Sequence, residues 1–306
     1  MAEISFEITS LNGSRIVPQE LVSYEWTRDA DAACDGLRLC FLYDGVPFEA
    51  VKIKAYFEDA PVFFGYADYQ CEENGIIFIY ARSSACLLVD NEAGQATLNS
   101  PSAAVLFNLN AKPFGFKNRL ENRFVKTAYT VGKGTSCYGA INNFMRAFFE
   151  KNIVVSPENE LYIPSGDIAF NLDSSRVISV NKTINRGNAV SRIDYKTGGE
   201  YNRHRASKTL EKSDIRRTRR LNTANVPAFE RDIAISKIIR DAARDYYGAA
   251  VVLEGAAAPE LYSPVVFEGL EGYVVTSFKV VCNKNGEKTK LVLCRPIDLK
   301  ETDYVA

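Results

Sequence analysis

Residues 60–92 read APVFFGYADYQCEENGIIFIYARSSACLLVDNE. Two apolar runs, Val62 to Tyr69 and Ile76 to Tyr80, flank the acidic segment Glu72-Glu73-Asn74-Gly75. Asn and Gly both tolerate positive φ, so an Asn-Gly step between two apolar runs predicts a tight β-hairpin. After the second run, Ala81-Arg82-Ser83-Ser84 leads into a short apolar segment that predicts a short helix.

The chain before this hairpin also predicts strands. Asx-Gly steps recur between its apolar stretches and supply the left-handed backbone positions that tight turns need. The predicted strands of this part are Ile4–Thr9, Leu21–Arg28, Leu37–Tyr43, Val51–Phe57, Val62–Tyr69 and Ile76–Ala81. About six strands joined by short turns are typical of an antiparallel barrel or sandwich.

From about residue 96 the pattern changes to helices. Ser100-Pro101-Ser102 predicts the start of a short helix, because Ser and Pro favour helix N-termini. A longer helix is predicted from about Ser136 to Lys151. Its large side chains fall on one stripe, which predicts a core face: Tyr138, Ile141, Met145 and Phe148.

A second β-rich region begins near Arg176. The predicted strands are Val177–Thr183, Ala189–Lys196, Tyr273–Cys282 and Lys288–Cys294. The last two alternate in polarity around Asn285-Gly286, which predicts a hairpin. A helix is predicted over about residues 230–247 and is closed by Gly248. We expect residues 176–202 and 262–300 to build one β-domain with that helix inserted between them.

The opening stretch resembles the end of the first β-domain in the baseplate hub proteins of contractile phage tails and tail-like bacteriocins, the late control D and Mu-like hub family. In that family a strand with an aromatic-Gly step pairs with a strand that ends in an Ala/Gly-Arg-Ser turn. A short Leu-rich segment with an Asp follows. The equivalents here are Phe64-Gly65, Ala81-Arg82-Ser83 and Leu87-Leu88-Val89-Asp90. The order of predicted elements is also similar over most of the chain.

The resemblance implies an α+β fold, mostly β, with two tail-tube-like antiparallel β-barrels that flank a small α/β domain. For this chain it implies a first barrel over residues 1–95, an α/β domain over 96–175 and a second barrel over 176–306. The second barrel would carry an insertion over about 203–261 that contains the helix predicted over 230–247.

The resemblance also implies a structural function without enzymatic activity. Three copies with two similar barrels each would present six near-equivalent barrels to a six-fold tail tube and three-fold symmetry to a central spike. The implied partners are two further copies, the tail tube or a tube-initiator protein, the spike protein, and baseplate-wedge and LysM-containing proteins, with the tape-measure protein as a further candidate. We expect synthesis in the bacterial cytoplasm and assembly into the baseplate of a phage tail or of a headless bacteriocin particle.

Composition is that of a globular protein with a sizeable core, at 46% hydrophobic residues and a net charge of −1. Glu3 and Glu7 fall where a signal peptide would be apolar, and no run approaches the length of a membrane span, so we expect no membrane insertion. The seven cysteines form no CxxC pair. They predict free thiols in a reduced protein.

Candidate catalytic chemistry is sparse, although a hydrolase with accessory β-domains stays open as an alternative. Cys137 falls in the first turn of a predicted helix, which favours a lowered thiol pKa, and the single histidine, His204, is its one candidate base. Residues 130–136, Thr-Val-Gly-Lys-Gly-Thr-Ser, precede that helix but depart from the Walker A spacing. One histidine and scattered cysteines argue against a zinc site, and we expect no cofactor.

Residues 203–220, RHRASKTLEKSDIRRTRR, carry eight Lys and Arg against Glu211 and Asp214. Three interpretations stay open: a solvated loop, a nucleic-acid-binding module, and a surface that meets an acidic patch on a neighbouring protein. Aromatic residues for base stacking are absent from the stretch, and we expect no specific nucleic acid partner. Arg suits bidentate pairing with carboxylates at interfaces. The candidate interface residues are Arg216, Arg217, Arg219 and Arg220.

Overall fold

The computed structural model describes residues 4–224, 228–244, 246–296 and 304–305. Its N-terminal part consists of strands, and each strand predicted there is confirmed. They are β1 (Ile4–Ser10), β2 (Arg15–Ile16), β3 (Glu20–Asp29), β4 (Gly36–Leu42), β5 (Ala50–Phe57), β6 (Ala60–Glu73) and β7 (Ile76–Ser83). The β6–β7 hairpin turns at Asn74 and Gly75, whose φ angles of 53° and 75° are the left-handed values that this turn requires.

The middle part contains short strands and the predicted helices. Its elements are α1 (Cys86–Val89), β8 (Ala96–Leu98), α2 (Ala103–Asn110), β9 (Lys117–Asn118), β10 (Tyr129–Val131), α3 (Cys137–Phe149), β11 (Val154–Val155), β12 (Glu160–Tyr162) and β13 (Phe170–Asn171). The Ser136 hydroxyl caps α3 by accepting a hydrogen bond from the Gly139 N–H at 3.0 Å. Ile141 and Met145 of the predicted stripe are fully buried.

The C-terminal part returns to strands and adds two helices. Its elements are β14 (Val177–Ile184), β15 (Arg192–Tyr195), β16 (Arg203–Ala206), α4 (Lys208–Lys212), β17 (Thr218–Leu221), α5 (Ala228–Ala243), β18 (Tyr247–Glu254), β19 (Val265–Val266), β20 (Val274–Asn283), β21 (Gly286–Cys294) and β22 (Tyr304–Val305). None of the helices in the described residues is both long enough and apolar enough to cross a bilayer.

Eleven strands form one continuous antiparallel sheet with the order β14-β18-β21-β20-β3-β4-β7-β6-β5-β1-β2. Its two halves, one from each end of the chain, join where β3 pairs with β20. Trp26 and Phe278 pack edge to face at this junction with ring centroids 4.8 Å apart. The fold is mostly β with antiparallel sheets, as predicted. Among the described strands, the sheet does not close on itself, because its end strands β14 and β2 are not hydrogen-bonded to each other. The detail of two closed barrels is therefore not confirmed.

The predicted helix over 230–247 ends earlier than expected. It stops at Ala243, and Tyr247 begins β18 by pairing with Ile184 of β14. Gly248, which we expected to close the helix, lies inside β18, where a Cβ would come within 2.7 Å of the Thr183 hydroxyl. Tyr246 fits the helical spacing, but it lies in the turn that follows the helix and is buried there. As a result β18 belongs to the main sheet and not to the insertion.

The predicted strand Ala189–Lys196 also differs in its place. Val177–Ile184 lies in the main sheet with β20 and β21, as expected. In contrast, β15 lies in a separate sheet with the order β17-β15-β16-β22. Its residues Ile193 and Tyr195 are buried against α5, and this packing holds β15 within the insertion.

Three hydrophobic cores follow from this arrangement. The first core lies on the main sheet, the second core surrounds α2 and α3, and the third core lies between α5 and the four-stranded sheet. The third core contains Ile235 and Ile239 of α5, together with Leu210 of α4. The basic stretch is therefore attached to a small core of its own.

Candidate interaction surface

The basic stretch of residues 203–220 is folded around the third core. It forms β16, α4 and β17, with Leu210 and Ile215 buried. Its cationic side chains mostly face solvent, and the candidate interface residues are all exposed: Arg216, Arg217, Arg219 and Arg220. The solvated-loop interpretation is therefore wrong about structure, since two strands and a helix occupy most of the stretch.

Two of the four candidate arginines already have partners within the chain. The guanidinium of Arg217 donates to the carbonyl oxygens of Arg186 at 3.1 Å and Ala189 at 3.2 Å, and also to that of Gly187. It therefore holds the turn that precedes β15. Arg216 donates through Nε to the Asp214 carboxylate at 2.8 Å, in a pair that is almost wholly exposed. Such exposed pairs are weak, so Arg216 remains available to another carboxylate.

The other two candidates, Arg219 and Arg220, lie on β17, at one edge of the four-stranded sheet. Arg220 lies 5.6 Å from the ring centre of Tyr201, and the Lys196 ammonium lies 4.8 Å from the same ring. Two cations thus flank one exposed aromatic ring. Sequence reasoning missed Tyr201 because it lies just before the basic stretch and approaches β17 only in the folded sheet.

The structure does not bring the candidate catalytic groups together. Cys137 is buried in the second core, and burial raises the pKa of its thiol, against the expectation from its helix position. His204 lies on β16 opposite Asp194 of β15, beside the third core. The described residues also contain no group of three His, Cys, Asp or Glu side chains placed to hold a metal ion.

The glycine-containing loop before α3 is closed by a carboxylate of the chain itself. The Gly134 N–H donates to Oε1 of Glu92 at 2.6 Å, and the Cys137 N–H donates to the carbonyl of Asn91 at 2.8 Å. Gly134 has a φ of 76°, a value that favours glycine in a tight turn. Gly132 and Gly134 therefore serve a turn, and the N–H groups of Gly134 and Cys137 are hydrogen-bonded within the chain.

The hairpin motif is organised around Arg82. Its guanidinium donates to Asp68 at 2.5 and 3.1 Å and to Asp90 at 2.9 and 2.7 Å. Asp68 lies on β6 and Asp90 follows α1, so one side chain connects the hairpin to the helical segment after it. The Arg of the Ala-Arg-Ser turn and the Asp of the Leu-rich segment are thus direct partners.

A cavity of about 360 Å³ lies where α3, α5 and the end of β21 meet. Arg146 of α3 and Asp241 of α5 approach to 3.5 Å at its wall, and Arg244 pairs with Asp31 at 2.6 Å. These pairs connect the second and third cores to the main sheet. The cavity is thus a junction between the parts of the fold, and Arg146, Asp241 and Arg244 at its wall are held in ion pairs.

No protein-family model matches this sequence, and a comparison with curated proteins finds no match. Solved structures are similar to it over nearly its whole length. The tail protein of Neisseria meningitidis MC58 is similar with a TM-score of 0.74 at 13% identity, over 95% of this chain and 96% of that one. The 43 kDa tail protein of prophage MuSo2 from Shewanella oneidensis has a TM-score of 0.75 at 14% identity, over 97% of both chains.

The chain has the fold of phage tail proteins. A component of the type VI secretion system of E. coli, itself similar in structure to the T4 tail proteins gp27 and gp5, shares this fold with a TM-score of 0.54 at 5% identity, over 94% of this chain and 76% of that one. The predicted resemblance to tail baseplate proteins is confirmed at the level of the fold. It extends from the hairpin of residues 60–92 to almost all of the chain.

In this tail-protein fold, the Arg82–Asp90 contact predicts a pH dependence. Hydrogen bonds from Arg82 hold the pKa of the Asp90 carboxyl below its usual value. A lowered folded-state pKa means that this stabilisation is present above the unfolded pKa of about 3.9 and is lost as pH falls through the lower folded value. Asp90→Asn is expected to lose less stability than the wild type between about pH 5 and pH 2.

The measurement is the free energy of unfolding from urea titrations across that pH range. Asp44→Asn is the matched control, since Asp44 forms no ion pair with the described residues. Its pH profile should follow that of the wild type. A profile for Asp90→Asn that coincides with both would contradict the assignment.

Proposed function

We propose that this chain is a structural subunit of a contractile-tail particle, located at the baseplate hub. The observation that carries the proposal is the similarity in fold to two tail proteins over at least 95% of this chain. The particle is a phage tail or a tail-like bacteriocin, and the chain reaches it after synthesis in the bacterial cytoplasm. The subunit acts by holding other proteins in place, without catalysis or a cofactor.

The finer proposal is a ring of three subunits that joins the tail tube to a three-fold central spike. It divides the chain into a tube-like domain over residues 1–95, a small α/β domain over 96–175 and a second tube-like domain over 176–306. The separate second core supports a distinct α/β domain. The two ends of the main sheet, β14 and β2, are different strands, which suits head-to-tail contacts between copies.

The proposed partners are those of a hub. They are two further copies of the chain, the tube or tube-initiator protein, the spike, the wedge and LysM-containing baseplate proteins, and the tape-measure protein. The four exposed arginines of residues 216–220 are proposed as part of a contact with one of these neighbours. Their exposure and their excess of positive charge support that role.

The test is the number and position of copies in the assembled particle. We expect three copies on the tail axis, in contact with both tube and spike, when purified particles are imaged by electron cryomicroscopy and their subunits are counted by quantitative mass spectrometry. The tube protein, present in multiples of six, calibrates the count. Six copies, or a position at the periphery of the baseplate, would overturn the hub proposal.

A further inference from the structure

Among the described strands, β17 is an edge strand of the four-stranded sheet. It pairs in parallel with β15, and the carbonyls of Arg217 and Leu221 accept hydrogen bonds from Arg192 N–H and Lys196 N–H, each at 3.2 Å. Main-chain groups alternate in direction along a strand, so those of Thr218 and Arg220 face away from β15. No described strand pairs on that side. Thr218, Arg219 and Arg220 are all exposed.

The charge along this edge is positive, and no ion pair within the described part of the chain neutralises it. Arg219 and Arg220 form no ion pair with a described residue, and their side chains project to opposite faces of the sheet because they are consecutive. Lys196 and Arg220 converge on Tyr201, while the neighbouring carboxylate of Asp194 is bound by Arg192 at 2.7 Å. The edge therefore presents cations on both faces.

The same charge continues beyond the start of β17. A depression of about 380 Å³ there is lined by Arg186, Arg216 and Arg217, together with Asp214 and Ile215. Asp214 is paired with Arg216. A segment that extends along β17 would thus meet further arginines at one end and the Lys196–Tyr201–Arg220 cluster at the other.

We propose that β17 docks an extended acidic segment of another protein, which adds as a strand along Thr218–Leu221. Main-chain hydrogen bonds to an open edge supply affinity, and carboxylates on both faces of the added strand would pair with Arg219 and Arg220. Positive charge on the edge disfavours pairing with a second copy of itself and selects an acidic strand. The proposal rests on the proposed function in one respect only: the partner is expected to be another protein of the particle.

A peptide fits this surface better than a nucleic acid does. Binding of single strands relies on several exposed aromatic platforms. Among the described residues beside β17, Tyr195 lies opposite Leu221 but is buried, and the exposed ring of Tyr201 already has cations on it. Open, alternating main-chain groups are instead the feature that a peptide strand recognises. Nucleic acid binding therefore enters as an outcome of the test.

The test uses the full chain and a fluorescent twelve-residue peptide of four Glu-Glu-Val repeats, which places carboxylates on both faces of a strand, followed by fluorescence anisotropy. We expect saturable binding that falls at least tenfold for the Arg219→Gln/Arg220→Gln variant. Two exposed arginines elsewhere supply the matched control, Arg38→Gln/Arg123→Gln, which should bind as the wild type does. A peptide of Lys-Lys-Val repeats should not bind.

Two further arms separate strand addition from simple charge attraction. Thr218→Pro keeps every charge and removes an N–H that faces outward, where proline is tolerated at a sheet edge, so it should weaken binding while circular dichroism stays unchanged. A Glu-Glu-Val repeat peptide methylated on alternate main-chain nitrogens should bind at least tenfold more weakly, which tests the same property without altering the protein.

Three results would overturn the proposal. Absence of peptide binding would leave the arginines as edge protection only. Equal binding of the methylated peptide would show charge attraction without strand addition. Tighter binding of a twelve-nucleotide single-stranded DNA, lost in the Arg219→Gln/Arg220→Gln variant, would assign the surface to nucleic acid. None of these results bears on the copy number in the particle, so failure here is distinct from failure of the hub proposal.

Discussion

Gly65→Ala is expected to destabilise the fold strongly. Gly65 lies in β6 directly opposite Ser83 of β7. A Cβ at this position would lie 2.7 Å from the carbonyl carbon of Arg82, with the carbonyl oxygen closer still. Non-bonded carbon atoms need about 3.5 Å. The obstructing atoms belong to the backbone of a neighbouring strand, so no change of rotamer relieves the clash, and β6 and β7 must separate.

The expected loss is about 3 kcal/mol or more of unfolding free energy, at the top of the range for overpacked sites. Urea denaturation followed by circular dichroism measures it. Gly94→Ala is the matched control, because no atom lies within 4 Å of the position that the Cβ of an alanine would take there. This variant should change stability by less than about 0.5 kcal/mol. Equal stability of the two variants would show that β6 and β7 tolerate the added carbon.

The parts of the fold that sequence predicted best are those determined by local interactions. Asn74-Gly75 specifies its hairpin because the turn needs two left-handed residues, and both residues adopt that conformation. Ser136 specifies the start of α3 through its own hydroxyl. The aromatic-Gly step has a similar physical cause, since Gly65 permits the close approach of Arg82 on the next strand.

The misplaced elements depend on contacts between distant parts of the chain. Tyr246 fits a helical face and Tyr247 begins a strand, and only the pairing of β18 with β14 and β21 decides where the helix ends. β15 has the alternation of any half-buried strand, and its packing on α5 assigns it to the smaller sheet. Neither contact is visible in a window of neighbouring residues.

The candidate surface also depends partly on local sequence and partly on contacts between distant parts of the chain. Composition identified the arginines of residues 216–220, but it could not distinguish their roles. Arg217 binds three carbonyl groups across a turn that is distant in sequence, whereas Arg219 and Arg220 occupy an open edge. The pairing of β15 with β16 and β17 places Tyr201 at this surface. Charge patterning therefore predicts where a basic surface lies, and topology decides which of its residues are available.

The second large effect is expected at Arg28, whose side chain is 12% exposed and lies at the junction between the two halves of the main sheet. It binds the Asp35 carboxylate at 2.8 and 2.6 Å and donates to the carbonyl of Val62 at 3.3 Å. Its guanidinium also lies 5.5 Å from the ring centre of Trp26 and 6.0 Å from that of Phe278. One cation on β3 thus contacts β6, β20 and the residue that precedes β4.

Burial alone would lower the pKa of Arg28, but the Asp35 carboxylate reverses the direction, and the net pKa is raised. The same guanidinium opposes the effect of burial on Tyr162 of β12, whose pKa burial raises to about 12. Arg28 therefore stays charged at any pH at which the protein folds. Its removal leaves Asp35 as a carboxylate with little access to water and without its partner.

Arg28→Met is expected to cost about 3–5 kcal/mol of unfolding free energy, because breaking a buried pair leaves one uncompensated charge. Asp35→Ala should cost a similar amount, and the double variant should cost much less than the two losses added together. Arg38→Met supplies the comparison, since its pair with Glu25 is 3.5 Å long and Arg38 is 60% exposed. Its cost should stay within about 1 kcal/mol.

Denaturation with urea gives the four free energies of the Arg28–Asp35 cycle and the value for Arg38→Met. Single losses that add without coupling would show that the two side chains contribute separately, and the buried pair would then have no part in joining the halves of the sheet. A large coupling energy together with a small effect at Arg38 would locate the stabilisation in the Arg28–Asp35 pair, which lies beside the β3–β20 junction. That junction carries the continuity of the eleven-stranded sheet, so its loss should unfold both halves in one transition.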